Sequence, residues 1–230
     1  MKIKNKKRAL LAAVIELAAL LLCVWALTGD LFPQRAWAAY EPPYALKMLW
    51  EVNKDVIGGL NIPGTSVCYP ILQHPTTDDY YLNVRVDGTE GYPGSIYTNS
   101  MEGKSFSTFN TVIYGRNTGD DSYFGGLNKY LDVEYMDAHR QIEVYGPDAK
   151  HTYTIFAAVI YDDRRITDCY TDGEPADQWA FIQSLQTDGL PGTILLDDTG
   201  LDAGTDRILT LSTGITGMPD NRLLIVAVEN

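Results

Sequence analysis

The 230-residue chain is 45% hydrophobic, enough to bury one sizeable core, and carries a formal net charge of −12. That charge is unevenly placed: Lys2, Lys4, Lys6, Lys7 and Arg8 crowd the N-terminus with no acid among them, leaving 13 bases against 30 acids in the rest. So acidic a body repels phosphate backbones and has no basic stripe, which excludes nucleic acid as an expected partner.

Residues 9–27 are apolar apart from Glu16, a run of 19 residues that matches the length of a bilayer-crossing helix. The basic cluster before it holds the N-terminus in the cytoplasm and sends everything after about Thr28 outside. The expectation is a cytoplasmic tail over residues 1–8, a single-pass signal anchor over 9–28, a linker over 29–43 and a folded extracellular domain over 44–230. A cleaved signal peptide is the alternative, since Ala36-Trp37-Ala38 offers a small-x-small site, although the run is longer than the usual 7–15-residue apolar region. Glu16 costs about 2–3 kcal/mol at that depth if charged, and reads either as a tolerated protonated carboxyl or as a contact for a helix partner.

Leu46, Leu49 and Trp50 recur at helical spacing and predict a packing helix over residues 44–53. Beyond it, strands are predicted over 56–62 and 67–72, flanking the turn Pro63-Gly64-Thr65, then over 95–98, 111–114, 141–145, 151–161, 207–213 and 222–228. Helical interruptions fall at 123–130 and 176–185, the second preceded by the cap-like Thr171-Asp172-Gly173-Glu174. Eight short strands with few helices suggest a mainly β closed barrel, because closure removes exposed edges. Cys23 lies in the apolar run. Cys68 and Cys169 have no Cys or His at zinc-site spacing, and a domain of this size needs no disulfide, so both read as buried thiols. His74, His139 and His151 are scattered, and neither a metal nor a cofactor is expected.

Six stretches carry a resemblance: Asn61-Ile62-Pro63-Gly64-Thr65 with Tyr69-Pro70, Asp79-Tyr80-Tyr81-Leu82-Asn83, Gly94-Ser95-Ile96-Tyr97, Val112-Ile113-Tyr114-Gly115-Arg116-Asn117, Phe124-Gly125-Gly126-Leu127 and Leu209-Thr210-Leu211-Ser212-Thr213-Gly214. They fall in the order found in class B sortases and span nearly the whole region after the apolar run, so the chain resembles that family. The resemblance implies an eight-stranded sortase-type barrel with a few short helices. It also implies a place at the outer membrane face of a Gram-positive-type cell, and sorting-signal peptides or cell-wall and surface proteins as partners.

Sortases attack the Thr–Gly carbonyl of a sorting signal with a cysteine thiolate, hold the acyl group as a thioester and pass it to an amine. In the family that cysteine ends the strand that here ends at Gly214, a histidine follows the glycine that here precedes Arg116, and an arginine opens the last strand, where Arg222 matches. One of three catalytic positions is thus retained. Glycine has no side chain to carry an acyl group, and a guanidinium stays protonated and relays no proton. Losing the nucleophile of such a unit removes on the order of a millionfold in rate.

The resemblance also places Asn83, Ser212, Thr213 and Arg222 along a peptide groove, with residues 163–171 as a loosely matched wall. The expected function is a pseudo-sortase that binds peptide or surface protein without cleaving it. The alternative is an active transpeptidase or hydrolase using another nucleophile such as Ser212, which alternation puts on the face of Gly214 but which has no obvious base. A third reading is a decaying copy with no role. Plainer readings stand beside these: Arg116 as a surface charge paired with Asp120 or Asp121, Arg222 as a solvated residue opening a strand, His139 as a packing residue.

Overall fold

The computed structural model describes residues 40–170, 174–196, 200–202 and 205–230. The expected cytoplasmic tail, anchor and most of the linker lie outside the described residues, among which no helix is long and apolar enough to cross a membrane.

Helix α1 (Tyr44–Val52) lays buried Leu46 and half-buried Leu49 and Trp50 against Val56, Leu72, Tyr81 and Tyr97. Asn53 ends it: its side chain bonds the Tyr81 hydroxyl and the Val86 carbonyl and accepts from the Asp55 N–H, which turns the chain into the sheet. The strands follow as β1 (Val56–Asn61), β2 (Cys68–Leu72), β3 (Ile96–Tyr97), β4 (Asn110–Tyr114), β5 (Gln141–Tyr145), β6 (Lys150–Asp162), β7 (Ile194–Leu195), β8 (Ile208–Ile215) and β9 (Met218–Glu229). Their order is β5-β1-β2-β3-β4-β8-β9-β6, and pairing of β5 with β6 closes the ring into an eight-stranded barrel. The ninth strand, β7, hangs on β6 at Ala157 and Ala158 outside the ring.

Two apolar layers hold the barrel. Ile113, Leu209, Leu211, Ile225 and Ala227 belong to the larger core with Leu60, Ile71 and Ile155. The alternate residues Val112, Ile208, Leu224 and Val226 belong to a second cluster with Val159 and with Phe181 and Leu185 of helix α4 (Pro175–Thr187). Strands β8 and β9 are therefore covered on both faces and read as near-continuous apolar runs. Each buried large side chain contributes roughly 1.5–3 kcal/mol of transfer free energy.

Several expectations need correction. The predicted helix over 123–130 is a 3₁₀ segment over Gly125–Leu131. Two short helices escape the sequence pattern, α2 (Val133–Ala138) and α3 (Ile166–Cys169). The first is capped by Asp132, whose carboxylate accepts from the N–H groups of Glu134 and Tyr135. Cys68 and Cys169 are not buried: both are exposed free thiols. Cys68 opens β2 at its exposed end, and in the single turn of α3 only Ile166 is buried.

Candidate functional site

Strands β4 and β8 run parallel with Tyr114 opposite Ser212, and the Gly115 N–H continues the ladder to the Ser212 carbonyl at 3.1 Å. This brings Arg116 and Asn117 beside the end of β8. The β8–β9 hairpin puts Arg222 opposite Gly214. A cleft of about 670 Å³ opens over these strand ends, and Arg116, Ser212, Thr213, Gly214 and Arg222 all line it. Asn117 clasps the end of β8, its side-chain amide donating to the Gly214 carbonyl at 3.1 Å and to the Thr216 hydroxyl at 3.2 Å.

Asn83 does not line the cleft. It lies exposed at the rim, where its side-chain oxygen accepts from Arg116 Nη2 at 2.7 Å. Arg116 is not paired with Asp120 or Asp121: its Nε donates to the Leu82 carbonyl at 3.2 Å and its guanidinium lies 5.6 Å from the Tyr92 ring centre. Asp120 is occupied by Thr118 and Ser122, and Asp121 by Lys129. Of the loosely matched wall, Asp163, Arg164 and Arg165 line the cleft, whereas Thr171 lies outside the described residues. Arg164 pairs with Asp162 and Asp188, and Arg165 reaches Asp79 at 2.5 Å and Asp78 at 3.4 Å.

Sequence reasoning treats Tyr97 and Tyr114 as family markers, yet they form the aromatic wall of the cleft, stacked with ring centres 5.5 Å apart. Burial, and then the neighbouring Asp79 carboxylate, pushes the Tyr97 phenol well above its ordinary range, and burial pushes Tyr114 up to about 12. Both phenols therefore keep their protons near neutral pH, and neither serves as a base.

Chemically, the cleft offers cations, hydroxyls and aromatic surface. Ser212 is buried, and its hydroxyl makes no hydrogen bond to any base among the described residues. The histidines lie elsewhere: His74 stacks on Tyr80, His139 stacks on Tyr135 beside Gly64, and His151 bonds Glu229. At Gly214 a built Cβ meets only Arg222 Nη1, at 3.9 Å, so the space a nucleophile's side chain would fill is open. Among the described residues, no group of His, Cys, Asp and Glu is placed to hold a metal ion.

An eight-stranded barrel with its cleft at the adjoining ends of parallel β4 and β8 defines a sortase-type architecture. The chain is 34% identical over 177 residues to sortase B of Listeria monocytogenes, covering 73% of this chain and 66% of that protein. It is 30% identical over 168 residues to sortase B of Staphylococcus aureus, covering 72% of this chain and 65% of that protein. It thus spans just under two thirds of the length of each relative. A solved Staphylococcus aureus sortase B–substrate complex superposes with a TM-score of 0.71 over 94% of this chain and 93% of that one; at 23% identity this speaks for the fold alone. No protein-family model matches the chain. The chain belongs to the class B sortase family.

Proposed function

We propose that this protein is a catalytically silent class B sortase homologue that binds sorting-signal peptides or surface proteins without cleaving them. The observation that carries the reading is Gly214 near the end of β8, opposite Arg222, in a cleft where the described residues form no paired nucleophile and base. Acyl transfer requires an atom that bonds the acyl carbon and a neighbour that handles its proton, and among the described residues the Ser212 hydroxyl bonds no such neighbour. The rest of the groove persists. Arg222, Ser212 and Thr213 line it, and the aromatic wall of Tyr97 and Tyr114 supplies surface for a peptide. A Staphylococcus aureus sortase B of this fold has been solved as a substrate complex. On this reading the N-terminal apolar run anchors the domain at the outer face of the membrane.

The test is to incubate the full chain with a library of sorting-signal peptides while recording binding and cleavage together. Saturable binding with intact peptides recovered is expected. Cleavage abolished by Ser212→Ala would overturn the proposal, and so would the absence of any binding.

A further inference from the structure

The geometry points to a free carboxylate, the C-terminal carboxylate of an already cleaved peptide, as the group held in the space over Gly214 beside Arg222. This rests on the reading of the cleft as a peptide groove and specifies which peptide it takes.

Charge comes first. Guanidinium groups of Arg116, Arg164, Arg165 and Arg222 line the cleft against the carboxylates of Asp79 and Asp163, so it is locally cationic on a chain of net charge −12. Two of the four are already neutralised, Arg164 by Asp162 and Asp188, and Arg165 by Asp78 and Asp79. The other two are not. Among the described residues Arg116 bonds only uncharged acceptors, the Leu82 carbonyl and the Asn83 amide oxygen. Arg222 is half-buried, and its side chain makes no hydrogen bond or ion pair among the described residues. A half-buried cation without a counter-charge attracts an anion, and the planar fork of arginine matches a carboxylate.

Shape comes second. Gly214 stands opposite Arg222, and a Cβ built there would meet only Arg222 Nη1 within 4 Å. The missing side chain therefore leaves a void next to the guanidinium that two carboxylate oxygens can enter. The whole cleft, at about 670 Å³ with the Tyr97–Tyr114 wall along it, is far larger than a carboxylate. The occupant thus has a body of several residues and a charged end. An uncut peptide has a neutral amide at this point, so the ligand is the acid product of a peptide-bond hydrolysis carried out by another enzyme.

The experiment is calorimetric titration of the full chain with three peptides: a sorting signal ending at its threonine as the acid, the same peptide as the C-terminal amide, and the uncut signal. The acid is expected to bind about tenfold or more tightly than the other two, by the strength of a charge-assisted hydrogen bond. Added salt should narrow that margin. Arg222→Gln should erase the difference between acid and amide, and Arg222→Lys should keep part of it. Equal binding of all three peptides overturns the inference and leaves the groove standing; no binding by any of them removes both. Acetate or inorganic phosphate competing as well as the peptide acid also overturns it, the site then holding small anions only. The comparison of acid with amide uses the unaltered chain, so it holds even where a variant folds poorly.

Discussion

The double substitution Gly214→Cys with Arg116→His is expected to confer thiol-dependent cleavage of sorting-signal peptides on a chain that is catalytically silent on the proposed reading. The strand end tolerates the change. Gly214 is not among the residues with left-handed backbone, so a β-carbon is admitted without strain, and its nearest neighbour would be Arg222 Nη1 at an ordinary contact distance of 3.9 Å. A thiol there would face the arginine that this family retains, a donor for the oxyanion that forms when a carbonyl is attacked. The histidine replaces a group that cannot relay a proton with one that titrates near neutrality. The single Gly214→Cys variant should take up one more alkyl group than the unaltered chain, whose Cys68 and Cys169 are already exposed, yet turn over slowly, with the added base worth about 10²–10⁴ in rate. Chromatographic detection of cleaved peptide reads the outcome. A folded double variant that stays inert would show that parts of the site beyond these two positions have been lost.

Gly94→Ala is expected to be strongly destabilising. Gly94 has φ of +78°, and a Cβ there would lie 2.3 Å from the Leu82 carbonyl oxygen and 2.5 Å from that of Tyr81. Both obstacles are backbone, so no rotamer change relieves them. The left-handed backbone costs roughly 1–2 kcal/mol for a non-glycine residue and overpacking about 1–3 kcal/mol more. For a domain of this size the sum, about 2–5 kcal/mol, lowers the melting temperature by roughly 4–20 °C. The site is damaged as well, because the displaced Leu82 carbonyl is the acceptor for Arg116 Nε. Gly88→Ala is the control: its φ is +82°, but nothing lies within 4 Å of the built Cβ, so it should show the backbone cost alone. Thermal unfolding followed by circular dichroism separates the two, and equal losses would contradict the steric account.

The eight barrel strands were legible because their apolar residues are spaced for a pleated surface and their turns carry Gly, Pro and Asn. Leu209 and Leu211 share the inner core while Ile208 packs in the outer layer, and both sets are needed to close the barrel beneath α4. Strand β9 begins at Met218, ahead of the predicted start at residue 222, because its first residues, Pro219 and Asp220 among them, lie exposed and give no apolar signal. Strand β7, with two residues, is too short for any period to show. Helix α2 did carry a signal, the Asp132 cap, but its single buried side chain, Met136, makes no stripe.

At the site, Arg116, Ser212, Gly214 and Arg222 came from the family resemblance, and the ladder explains why they converge: parallel β4–β8 and antiparallel β8–β9 set three chain segments side by side. Their partners were not legible. Arg116 bonds a carbonyl 34 residues away, and Asn117 clasps a carbonyl 97 residues away, whereas reasoning from sequence neighbours offered Asp120 and Asp121. Local adjacency misleads here because those two aspartates are already held by Thr118, Ser122 and Lys129.

The most direct measurement is the intact mass of the unaltered full chain after prolonged incubation with a sorting-signal peptide. With glycine where the acyl-carrying atom would stand, the mass is expected to stay that of the polypeptide alone. A gain equal to the acyl portion of the peptide, localised to Ser212 or any other residue of the cleft, would contradict the account.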